Sequence, residues 1–127
     1  MSNSKWVKLI ARLVENCHLI KECRVKLLGE EYTGLRLLRI DEDVTFNFDY
    51  YPAAMEAMIS GKPYGWKFYC QIEWLDFPST VTDAQGRPVA QDTAAIQDQI
   101  AEVGRFQLAL TGDNLRLYAY QQVNSST

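Results

Sequence analysis

Apolar residues recur at helical spacing at the start of the chain. Trp6, Leu9, Ile10, Leu13, Val14 and Cys17 fall at i, i+3, i+4, i+7, i+8 and i+11. This spacing predicts an amphipathic helix over residues 4–17, with Ser4 as its N-cap and Lys5, Lys8, Arg12 and Glu15 on its polar face. From Cys23 the period changes to two. Alternation predicts strands over 24–27, over 35–40 and over 44–50. In the last of these, Val44, Phe46, Phe48 and Tyr50 face inward and Thr45, Asn47 and Asp49 outward. The short links between these strands point to an antiparallel meander. Pro52 ends the run, and residues 53–60 read as a short helix.

A long strand is then expected from Trp66 to Leu75. One face would carry Trp66, Phe68, Cys70, Ile72 and Trp74, and the other Lys67, Tyr69, Gln71 and Glu73. Residues 78–91 are rich in turn formers, with a small hairpin around Gln85-Gly86. Asp92 caps a second helix over 93–103, with Ile96, Ile100 and Val103 inward and Gly104 as its stop. The chain closes in a hairpin, with strands through Phe106–Leu110 and Leu115–Tyr120 around Thr111–Asn114. These elements predict an α+β domain over residues 1–122: a mostly antiparallel sheet of about six strands with two or three helices packed on one face. Residues 123–127 form a polar C-terminal tail.

Composition narrows the function. The chain has 127 residues, with 47% hydrophobic and 12% aromatic side chains, enough for one core without disulfides or a structural metal. The net charge of −3 is unevenly spread. Residues 1–40 hold 8 basic and 4 acidic side chains, a balance of +4. Residues 41–76 hold 2 basic and 7 acidic (−5), and residues 77–127 hold 3 basic and 5 acidic (−2). An acidic, aromatic-rich middle segment argues against a nucleic-acid platform, which needs a basic groove around its rings. No run approaches the roughly 20 apolar residues of a membrane span. An odd number of cysteines (Cys17, Cys23 and Cys70) without an export signal points to a reducing compartment, and a cytoplasmic location is expected.

Little here suggests chemistry. His18 is the single histidine, and Cys17-His18 with Cys23 is one ligand short of a local zinc site. Adjacent residues on a helix diverge by about 100°, so Cys17 and His18 make a poor nucleophile–base pair. Asp41-Glu42-Asp43 has the D-x-D spacing that can hold a magnesium ion, but no phosphate-binding glycine loop accompanies it. Asp49, Glu73 and Asp76 could be sheet neighbours, as paired carboxylates for glycoside chemistry require, yet the sequence sets neither separation nor cleft. The expectation is therefore a protein with no catalytic residues, no cofactor and no metal.

Three segments resemble an uncharacterised family of small bacterial proteins of the toxin-immunity type. They are Asn3-Ser4-Lys5-Trp6, Ile72-Glu73-Trp74-Leu75 and Gly112-Asp113-Asn114-Leu115-Arg116-Leu117-Tyr118-Ala119-Tyr120. Together they span about 17 residues and carry no catalytic motif. The loop at 78–91 departs from that pattern. The resemblance implies a cytosolic antidote that binds a cognate toxin and blocks its active site. An acidic inhibitor would gain steering and charge complementarity against a basic toxin domain. On this reading the partner is a protein, with no nucleic acid and no membrane. The contacts would be Asp41, Glu42, Asp43, Asp49, Glu73 and Asp76, with Tyr51 and Tyr69 as aromatic anchors. Two other classes stay open: an adaptor or chaperone that binds a peptide by strand addition, and a small-molecule-binding domain between sheet and helices.

Overall fold

The computed structural model describes residues 1–32, 36–40, 49–50, 52–56, 58–61 and 66–120. Helix α1 spans Asn3–Glu15 and buries Trp6, Leu9, Ile10 and Leu13, the stripe set by the helical period. Its N-cap is Ser2 and not Ser4: the Ser2 hydroxyl accepts from the Lys5 N–H at 3.2 Å. A 3₁₀ turn, Cys17–Leu19, leads into β1 (Arg24–Leu27). Strands β2 (Asp49–Tyr50), β3 (Ala54–Glu56) and β4 (Trp66–Phe68) form a small antiparallel sheet in that order. A second 3₁₀ turn, Tyr69–Gln71, precedes β5 (Ile72–Pro78). Strands β6 (Thr80–Thr82) and β7 (Pro88–Ala90) make the expected hairpin, with Gly86 at φ 78° closing its turn. Helix α2 covers Thr93–Val103, capped by Asp92, whose carboxylate accepts from the Ala95 N–H at 3.0 Å. The chain ends in β8 (Gln107–Leu110) and β9 (Asn114–Tyr118).

The fold is α+β. Its main sheet is antiparallel, in the order β1-β5-β9-β8. Register aligns Val25, Leu75, Leu117 and Leu108 in one row across all four strands. That row shares a core with Trp6, Leu9, Ile10 and Leu13 of α1 and Ile96 and Ile100 of α2. The opposite face carries the row Arg24, Asp76, Arg116 and Ala109.

Three expectations are corrected. Residues 35–40 do not form a regular strand. Among the described residues there, Leu37 and Leu38 make single bridges, to Arg24 on one side and Ile59 on the other. This places residues 36–38 along the outer edge of β1, where Val25 N–H donates to the Arg36 carbonyl and Leu38 N–H to the Cys23 carbonyl. Where a helix is expected over 53–60, Ala54–Glu56 is instead the central strand of the small sheet. An eight-residue helix is marginal by itself, whereas pairing with β2 and β4 satisfies backbone groups on both sides. The expected strand 66–75 is broken by the turn at Tyr69–Gln71. The strand predicted over 44–50 lies outside the described residues up to 48, and the tail at 123–127 lies outside them too.

Polar ties lock the irregular segments. The Arg36 guanidinium makes a two-pronged bond to Glu30, at 2.6 and 2.8 Å, and donates to the carbonyls of Ser60 and Gly61. Gly61 has φ 92°, and a Cβ there would meet Arg36 Cγ at 3.3 Å, so a side chain would be both strained and crowded. Buried Gln91 accepts from the N–H groups of Lys21 and Glu22 and donates to the carbonyls of Glu22 and Pro78.

Two outcomes are expected. Trp6→Ala should cost about 3–5 kcal/mol in urea unfolding, because it empties a fully buried site. The hydrogen-bonded Arg36 guanidinium holds the Glu30 carboxyl below its ordinary value of 4.5. A depressed folded-state pKa stabilises the fold above the unfolded pKa, and that contribution is lost as pH falls through the folded value. Unfolding midpoints measured down an acid series should therefore fall less steeply for Glu30→Gln than for the native chain.

Candidate functional site

The turn at Tyr69–Gln71 shapes the surface beside it. Strict alternation would bury Trp66, Phe68 and Cys70 and expose Lys67 and Tyr69. The observed phase is the reverse: Lys67 and Tyr69 are buried, while Trp66 and Phe68 are 53% and 54% exposed and Cys70 is exposed. Tyr69 stacks on Trp6, with ring centroids 5.9 Å apart and planes 16° from parallel. Three residues of 3₁₀ turn then restore the inward phase at Ile72. The turn exchanges one aromatic ring in the core for two on the surface.

Other apolar groups gather around this turn. Gln71 accepts from the Phe68 N–H through its side chain at 2.7 Å and from the Leu28 N–H through its carbonyl at 2.8 Å. The Tyr120 hydroxyl donates to the Cys70 carbonyl. Leu28, Phe68, Cys70 and Tyr120, all exposed, are thus tied to one turn, with Trp66 two residues along the same face of β4. Exposed apolar residues gathered on one turn mark interaction sites more often than scattered single side chains do.

The sequence-predicted contacts divide sharply. Asp41, Glu42, Asp43 and Tyr51 lie outside the described residues. Asp49 belongs to β2, but its side chain also lies outside them. Tyr69 is fully buried beneath Trp6 and cannot anchor a partner, because the turn puts it in the core. Asp76 sits on the outer sheet face yet is only 4% exposed. It accepts from Arg116 Nε at 3.1 Å and from the Asn114 amide, so its charge is spent within the sheet. Glu73 is half-buried in an ion pair with Lys26. Nearby, Trp74 is roofed by the Arg116 guanidinium, 3.7 Å from its ring centroid, and by the Tyr32 ring at 4.6 Å.

The candidate chemical clusters stay apart. Cys17 is half-buried, His18 exposed and Cys23 buried, and among the described residues no three metal-ligating side chains converge. Burial, reinforced by the nearby Asp76 carboxylate, pushes the Cys23 thiol well above its ordinary value. A half-open cleft of about 370 Å³ lies between residues 20–23 and 37–40. Its backbone is already in use: Lys21 and Glu22 bond Gln91, Cys23 bonds Leu38, and Arg39 bonds Met58. Among the described residues no helix is long and apolar enough to cross a membrane.

Comparison of the chain with protein-family models, curated proteins and solved structures finds no match.

The exposed apolar turn missed in the sequence had one local signal. Gln71 interrupts the short run Phe68–Ile72, which is otherwise apolar or aromatic, and its side chain is what caps the turn. Brief thiol labelling followed by mass spectrometry should modify Cys70 in the folded protein, whereas Cys23 should react only after unfolding.

Proposed function

We propose that this chain is a protein-binding module, an immunity-type inhibitor that docks a cognate toxin on the surface around Trp66 and Phe68. The observation that carries the reading is the outward placement of two large aromatic rings on one strand face. Each is more than half exposed, beside Leu28, Cys70 and Tyr120. Half-exposed, the two rings offer on the order of 200 Å² to a partner. Aromatic side chains of this kind serve as interface anchors, because they supply large contact area for little conformational entropy.

The residues brought together favour recognition. The carboxylates of Glu30, Glu73 and Asp76 are engaged by Arg36, Lys26 and Arg116, so they hold structure together. Specificity for a basic toxin domain then rests on the chain's net acidity and on the acidic segment at 41–43, with the aromatic surface supplying contact. The three segments that resemble immunity-type proteins supply the toxin as the partner class.

The test is calorimetric titration of the purified chain with the toxin-like product of a neighbouring gene. A 1:1 complex that weakens as salt rises is expected. Trp66→Ala or Phe68→Ala should each weaken it about 30-fold or more, at an unchanged melting temperature. Cys70 labelling should slow in the complex. Absence of binding to any such product, or full affinity in the doubly substituted chain, would refute the proposal.

A further inference from the structure

The two edges of the main sheet are treated differently. The outer edge of β1 is covered by residues 36–38. The outer edge of β8 has no such cover among the described residues, and it is the end strand of the order β1-β5-β9-β8. Hydrogen-bond parity shows which groups face out. Thr111 N–H donates to the Asn114 carbonyl, so Ala109 and Gln107 bond inward to Arg116 and Tyr118. On the other side of β9, Ala119 N–H bonds Glu73 and Asp113 accepts from Ser79, which fixes the same parity. The N–H and C=O groups of Leu108 and Leu110 therefore point away from the sheet, and no described residue bonds them.

We infer that β8 pairs with β8 of a second copy of this chain, antiparallel about a two-fold axis at Ala109, joining two main sheets into one. This inference is independent of the partner reading above. Three features of the edge select a second copy. The outward groups of Leu108 and Leu110 are self-complementary: Leu108 of one copy meets Leu110 of the other, twice, giving four backbone hydrogen bonds. The smallest side chain of the strand, Ala109, falls on the axis, where the backbones approach most closely. Gln107 to Thr111 carries no charge, proline or bulge, the usual devices that keep an edge from pairing.

Packing agrees with this arrangement. Leu110 is 49% exposed at the end of the row Phe77–Leu115–Leu110 on the helix-bearing face. Pairing brings Leu108 of the second copy against it. A four-residue edge buries less than the roughly 800 Å² per partner of a standard interface, so the dimer forms in a concentration-dependent way. The entry to β8 is already held: Lys5 bonds the Arg105 carbonyl and lies over the Phe106 ring at 4.5 Å.

Sedimentation equilibrium up to the millimolar range tests the inference. A shift from 14.6 kDa toward twice that mass is expected with rising concentration. Ala109→Glu places two carboxylates against each other at the axis and should weaken association about tenfold or more. The neighbour Arg116 on the same sheet face accommodates the new charge within the monomer, which a matching circular dichroism melt verifies. An equimolar mixture of Ala109→Glu and Ala109→Lys should restore the dimer. A native chain monomeric at every concentration would overturn the inference. So would a dimer unaffected by Ala109→Glu, or one lost on Trp66→Ala instead. Amide shifts at Leu108 and Leu110 that arise only with a different protein would give the edge to that protein and overturn it as well.

Discussion

The stacking of Trp6 on Tyr69 is the contact on which the rest of the structure turns. It joins the first helix to the turn between two sheets, and it fills the centre of the core with two large rings. Tyr69 reaches that position in the alternation of β4, and the 3₁₀ turn Tyr69–Gln71 then shifts the phase so that Ile72 is buried as well. Everything on either side follows from that shift. β4 is out of phase with β5 and belongs to a different sheet. The strand's remaining aromatics, Trp66 and Phe68, are left on the surface. The apolar surface around the turn is thus a consequence of how the core is built, and it is stable because the core is.

Polar groups are handled by enclosure. Asp76 lies between Arg24 and Arg116 on the outer sheet face, and its carboxylate accepts from Arg116 and Asn114. Arg24 itself pairs with Glu22. Burying a carboxylate is tolerable only with charged and hydrogen-bonded partners, and here they come from the neighbouring strand. Gln91 performs the same service for the loop before β1, satisfying four backbone groups at once. These ties explain why the outer face of a sheet rich in charged residues offers few uncommitted charges near β5.

Much of this was legible in the sequence. The two helices, the hairpin at Gly86 and the closing hairpin all had strong local signals: helical period, capping Asp92 and turn residues. What alternation did not disclose was decided by tertiary contact. A period of two in 66–75 is compatible with either face inward, and only the fit of Tyr69 against Trp6 selects one. Likewise the segment at 53–60 has no helical signal strong enough to resist pairing with two strands. The expected acidic surface failed at Asp76 for a similar reason, since a sequence shows a carboxylate but not the arginine placed across from it. Tyr69 failed as an anchor because a tyrosine that alternates with Lys67 and Gln71 reads as exposed until the packing against Trp6 is known.

The division between buried and exposed aromatics separates stability from recognition. Trp6 and Tyr69 are fixed by close packing, so any change there is felt by the whole fold. Trp66 and Phe68 carry more than half their surface into solvent, and their backbone is secured independently, by the ladder to β3 and by the Gln71 side chain. Their rings therefore stand outside the core that Trp6 and Tyr69 hold together. A surface built this way can change while the Trp6–Tyr69 core stays constant.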